Sequence, residues 1–193
     1  MARLIILLLL ITCYACQEPA STEPTTDEVA VEVSPETDTI PPQFPEDFLG
    51  LWNGDLRIWR GKELAMTVPM SLEMAPISDT SYTYTITYGE DDRREYLLIE
   101  KDREKGHWYI DEQNGIYLDG YYAGGKFFEG FGVMDTRLMA MLELQGDNLL
   151  YEITSGPEGP VRTSGDTIID GDEIPEVFSY ETSSYHRAVL SRE

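Results

Sequence analysis

The side chains that ordinarily do chemistry are scarce in this chain of 193 residues, which has only two histidines, His107 and His186, and two cysteines, Cys13 and Cys16. Zinc sites need Cys and His at short, fixed spacings, and no Cys–His or His-x-x-x-His spacing occurs. No Gly-x-Ser-x-Gly elbow marks a serine nucleophile. Asp166, Asp170, Asp172 and Glu173 crowd together, but they lack the glycine and terminal glutamate of an EF-hand loop. The chain holds 36 acidic residues, so close carboxylate pairs arise by chance and single out no acid–base pair; "GEDDRRE", residues 89 to 95, reads as a charged hairpin tip. The sequence therefore offers no catalytic residue and no metal ligand set, and the expectation is a protein that is not an enzyme.

Charge narrows the partners. A formal charge of −22 repels phosphate backbones, which argues against nucleic acid as a partner. It also repels anionic lipid headgroups, so attachment to a membrane would have to come from a lipid chain rather than a basic patch.

The N-terminus suggests such a chain. Arg3 precedes an apolar run, Leu4 to Ile11, which is too short to span a bilayer but suits the core of a signal peptide over residues 1–15. The run leads into "TCYACQEP", where the sequence resembles bacterial lipoprotein precursors. That resemblance implies cleavage before Cys16 and lipidation of its thiol. Ala15 fits the family pattern, whereas Cys13 and Tyr14 depart from it; Cys13, preceded by Thr12, is the poorer acceptor. Gln17 in the next position, rather than Asp, implies sorting to the outer membrane, on its periplasmic face or at the cell surface. An ordinary secretory signal and an uncleaved anchor remain alternatives. Cleavage before Cys16 leaves one cysteine and hence no intramolecular disulfide, although the compartment would be oxidising.

Residues 16–47 form the next segment. Positions 17 to 47 carry nine carboxylates, six prolines and neither Lys nor Arg. Low hydrophobicity with charge of one sign predicts a disordered tether that lifts the following domain off the membrane.

From Phe48 to Glu193 the period becomes two. In "SYTYTITY" Tyr82, Tyr84, Ile86 and Tyr88 share one face; Met66, Val68, Met70, Leu72 and Met74 do the same in the preceding run. Leu138, Ala140, Leu142 and Leu144 form a third such face, and Leu149, Tyr151 and Ile153 a fourth. Pro69 on an outer face suggests a strand edge or bulge. Turn signals separate the runs, Asn114-Gly115 being the strongest candidate for a type I′ hairpin turn. Ten strands are expected, near 49–60, 64–75, 80–88, 93–101, 106–112, 115–122, 125–134, 136–145, 148–154 and 183–191. A Gly-, Pro- and acid-rich interruption, residues 155 to 182, separates the last two. Short strands joined by tight turns predict an all-β domain, an antiparallel up-and-down meander that hides its edges by closing into a barrel of about 8–10 strands.

Gly50-Leu51-Trp52 stands at the start of the first strand. A Gly-x-Trp there resembles the calycins, the group that includes lipocalins, fatty-acid-binding proteins and avidins. The resemblance implies that Trp52 closes one end of the barrel and that an arginine of the last strand, Arg187, packs across it, with Gly50 admitting a neighbouring backbone. It also implies a small apolar ligand in the barrel mouth. Some calycins hold haem through a histidine; His186, in phase with Ala188 and Leu190 near the C-terminus, is the candidate here, and otherwise no cofactor is expected. The alternative to a ligand-binding barrel is a filled, non-catalytic scaffold that meets a protein partner through its rim and long loop. What fills the interior decides between them: the seven Met, six Phe and twelve Tyr suffice either to pack a barrel or to line a cavity.

Overall fold

The computed structural model describes residues 41–193. Ten antiparallel strands close into a barrel: β1 (Gly50–Arg60), β2 (Glu63–Ser78), β3 (Ser81–Tyr88), β4 (Asp92–Asp102), β5 (His107–Asp111), β6 (Tyr117–Ala123), β7 (Lys126–Val133), β8 (Thr136–Gln145), β9 (Asn148–Pro157) and β14 (Ser184–Arg192). Each strand pairs with the next in sequence through β9, and β14 enters between β9 and β1 to complete the ring. This is the meander that the alternating sequence predicts, and closure leaves the ten strands no open edge.

Inside, the period of two does what it must. Tyr82, Tyr84 and Ile86 of β3, Met70, Leu72 and Met74 of β2, Leu142 of β8 and Leu149 and Tyr151 of β9 are buried in one continuous core. Met66, expected on the same face, is exposed, because the 16-residue β2 reaches further than the eight-residue β3 that covers it. Pro69 sits one residue beyond the β2–β3 ladder, where its missing N–H breaks no pairing on that side.

The domain begins earlier than its alternation. Phe44 and Pro45, expected in the tether, are buried, and Phe48 is fully so in a 3-10 turn (Glu46–Phe48). Phe44 stacks on Phe127 at 4.4 Å and on Tyr122 at 5.4 Å. The Tyr122 hydroxyl donates to the Pro42 carbonyl. These residues form no strand, so no periodicity reveals them; two aromatics in an acidic stretch find a hydrophobic barrel end to cover. Cys16 and the expected signal peptide and tether up to residue 40 lie outside the described residues.

Local geometry corrects one further expectation and adds detail to another. The Asn114-Gly115 turn is not type I′: positive φ falls at Gln113 and Gly115, and Asn114 instead accepts from the Ile116 amide through its side chain. Among the turns that join the ten barrel strands, two successive residues with φ > 0 occur at Gly124 and Gly125, between β6 and β7. The long loop expected at 155–182 starts with the end of β9 and then forms a nested arm, with β10 (Arg162–Ser164) paired to β13 (Val177–Ser179) and β11 (Thr167–Ile169) to β12 (Asp172–Ile174).

Candidate functional site

Antiparallel strands give the barrel two ends, and their inward residues differ. At the end where β1 begins and β14 finishes, Trp52 is 1% exposed and donates its indole N–H to the Phe48 carbonyl at 2.8 Å. In the same core cluster Phe44 packs against Phe48, Trp108 and Phe127. The guanidinium lying over the Trp52 ring, 4.3 Å from its centroid, belongs to Arg192, which also donates to the Asp47 carbonyl. The partner expected from the sequence, Arg187, is not there. Its register partner on β1 is Arg57, whereas Arg192 is opposite Trp52, so Arg187 lies five residues earlier on β14, away from this barrel end. Arg187 is exposed and meets Glu152 at 3.4 Å. Arg187 alternates with the buried Ala188 and Leu190, which sends it outward; Arg192 at the strand end shares their parity and can fold over the barrel end. Gly50 is also reassigned. It holds φ of +121°, and the Arg192 side chain runs beside it. The close backbone approach is at Gly54, where a Cβ would stand 2.7 Å from the Val189 carbonyl oxygen.

The opposite end is not packed shut. A cavity of about 120 Å³ lies among the ends of β3, β7 and β9 and the starts of β4, β6 and β8. Tyr84, Tyr88 and Tyr151 line it, with Tyr96 and the exposed Arg94 toward its rim. The Tyr88 and Tyr151 hydroxyls hydrogen-bond each other at 2.9 Å. Arg94 sits over the Tyr88 ring at 5.1 Å and is held by both carboxylate oxygens of Asp92.

Glu129 is the unusual wall residue. It belongs to β7, where it alternates inward with Phe127 and Phe131, and it is 7% exposed. Its neighbours in register are Gly120, whose inner face is filled by the Phe127 ring, and Ala140, a small residue that lines the cavity. Its Oε1 is buried with no hydrogen-bond partner, one of two such side-chain atoms among the described residues; the other is Asn53 Nδ2. Burial raises the Glu129 carboxyl to about 7. Burial, with the charge of Glu129 adding to it, also holds the Tyr84 and Tyr151 hydroxyls well above the ordinary tyrosine range, so both stay neutral donors. A shell of phenol hydroxyls around one unpaired carboxyl can bind a small polar head within an apolar wall.

The sequence reading missed Glu129, because 36 acids hide any one of them. The signal was present in "FFEGF": a glutamate in phase with Phe127 and Phe131 on a strand already expected at 125–134. The histidines fall elsewhere. His186 is half-buried toward the same end, with Ile153 as its β9 partner, but its ring meets Ser184 Oγ at 3.2 Å and does not line the cavity. Burial keeps its imidazole below the ordinary histidine range. His107 is on the outer face, stacked on Tyr121 and 2.7 Å from Asp119. Among the described residues no group of three or more His, Cys, Asp or Glu is placed to hold a metal ion.

No family model and no curated protein matches the sequence. Among solved structures, the chain is similar to a protein of unknown function of the DUF3598 family from Nostoc punctiforme. That match has 12% identity and a TM-score of 0.55, and covers 80% of this chain and 51% of the other. The fold is calycin-like. The likeness is one of fold alone, and the chain spans about half the length of the Nostoc protein. An S-type phycobiliprotein lyase from Guillardia theta matches at 8% identity over 79% of this chain and 98% of its own, with a TM-score of 0.49, too loose a likeness to support a conclusion.

Proposed function

We propose that the barrel is a binding module that takes a small ligand into the tyrosine-lined cavity at its open end. The observation that carries this reading is Glu129: a carboxyl in the wall of an unfilled space, with its Oε1 buried and without a partner. Leaving such a group unpaired costs about 1–3 kcal/mol, and a ligand that pairs it recovers that cost. A wholly apolar ligand, the expectation from sequence, would leave Glu129 as it is. An apolar body with one polar group suits the lining better. The cavity is small: at about 120 Å³ it is below the ~300 Å³ at which pockets for drug-sized ligands begin. That size, and the absence of His186 from its walls, give haem no support.

The setting we propose is the one the N-terminal sequence implies: export, cleavage before Cys16, and a lipid anchor on the outer membrane with residues 17 to 40 as spacer. Mass spectrometry of the mature N-terminus tests this part; an unmodified terminus beyond residue 16 would end it. Native mass spectrometry of protein purified from its own host tests the binding reading. A bound small molecule is expected, and its repeated absence under gentle conditions would count against the cavity as a site.

A second reading has its own support. Ile168 and Ile169 of the arm are 70% and 55% exposed, and Val177 and Phe178 are also exposed. Apolar side chains on a projecting arm suit a surface that meets a protein partner. Deleting residues 160–180 would abolish such an interaction and leave ligand binding intact.

A further inference from the structure

Resting on the reading of the cavity as a binding site, we infer that its ligand is a protonated primary amine, whose ammonium group donates to Glu129 while tyrosine rings enclose its apolar body. Three features point to this chemistry. The first is the wall's principal unmet group, the buried Glu129 Oε1, which in its ionised form only accepts. The second is the aromatic lining: Tyr84, Tyr88, Tyr96 and Tyr151 border the cavity, and tyrosine supplies a π-system that attracts cations and a hydroxyl oxygen that accepts N–H bonds. The third is the charge of the whole chain, −22, which draws cations toward the protein and repels anions. Size sets the tail. About 120 Å³ corresponds to roughly four waters, room for a compact aliphatic or single-ring amine.

The groups that face Glu129 fix the pH behaviour. Tyr84 and Tyr88 come from β3, Tyr96 and Arg94 from β4, Glu112 from the end of β5, and Tyr151 from β9; the flanking Gly120 and Ala140 carry no charge. Arg94 is already neutralised by Asp92 and stands at the rim, so it does not replace the ligand's charge. In the empty cavity Glu129 holds its proton up to a pH of about 7. An ammonium ion entering below that pH displaces the proton to solvent. Binding of an amine is therefore opposed by acid, and binding of a neutral analogue is not.

The test is calorimetric titration of the full chain with propylamine and benzylamine, against 1-propanol and benzyl alcohol as neutral analogues, from pH 5 to pH 8. The inference expects each amine to bind at least roughly tenfold more tightly than its alcohol at pH 8. Amine affinity should fall about a hundredfold by pH 5, with protons released on binding, while alcohol affinity stays level. Glu129→Gln should erase the preference and its pH dependence without loss of alcohol binding. Equal binding of amine and alcohol by the wild type at pH 8 would overturn the amine while leaving the pocket standing. If neither class binds, the pocket reading falls as well.

Discussion

The two ends of this barrel are built from the same ten strands and do opposite things with them. At the Trp52 end the inward residues are aromatics packed edge and face, and the polar groups over the core have partners, Asn53 Nδ2 on the outer side of β1 apart: the indole N–H of Trp52 finds the Phe48 carbonyl, and Arg192 covers the ring and reaches the Asp47 carbonyl. At the Glu129 end, polar tips replace aromatic edges, a carboxyl and the small Ala140 share the wall, and space remains. Stability is thus concentrated at one end, and the other holds a buried group that folding alone leaves unpaired. Natural proteins tolerate such an uncompensated group where it serves binding.

The largest effect should come from breaking the closed end. Trp52→Ala is expected to destabilise by about 3–5 kcal/mol, since it empties a fully buried site in a close-packed region. Phe44→Ala should cost about 3 kcal/mol in the same denaturation experiment, and a chain starting at residue 49 should be less stable than one starting at 41. If residues 42–48 were mere tether, both changes would be silent.

At the open end the sign reverses. The Glu129 value is raised from the ordinary 4.5 to about 7, so the folded state holds this proton more tightly than the unfolded chain. That stabilisation is fully present below about pH 4.5, is lost as pH rises toward 7, and is gone above it, a fall of about 3 kcal/mol from this group. Glu129→Gln should flatten the fall and leave the variant about 1–3 kcal/mol more stable than wild type at pH 8. Urea melts at pH 5 and pH 8 check it; a stability loss at pH 8 would mean that Glu129 is a paired structural residue.

The smallest effects separate two arginines. Arg192→Ala should cost about 1–2 kcal/mol, and less when Trp52 is already Ala, because the pair is coupled. Arg187→Ala should cost under about 0.5–1 kcal/mol, the ordinary worth of an exposed ion pair such as Arg187–Glu152.

Most of the fold was legible because the barrel's inner and outer faces alternate along most of each strand, Thr85 and Leu150 being buried exceptions. Tyr82-Thr83-Tyr84-Thr85-Ile86 can be read by eye as a strand with one buried face, and ten such runs at short spacing leave few arrangements other than a closed meander. What was not legible depends on length and register rather than period. Whether Arg187 or Arg192 reaches Trp52 turns on where β14 stops against β1, which alternation cannot set. Phe44 lies before the first strand and announces nothing locally. Glu129 was readable in phase, but its meaning needed Ala140 on the next strand and Tyr84 and Tyr151 in the same cavity wall, neighbours visible only once the barrel is closed.

The claim that the open end is a binding site meets its most direct test in a crystal structure of protein purified from its own host. The account predicts electron density for a molecule other than water between the Tyr88–Tyr151 hydroxyl pair and Glu129, within hydrogen-bond distance of Oε1. A cavity that is dry or collapsed, with a tyrosine hydroxyl turned onto Glu129 to satisfy it, would contradict the account.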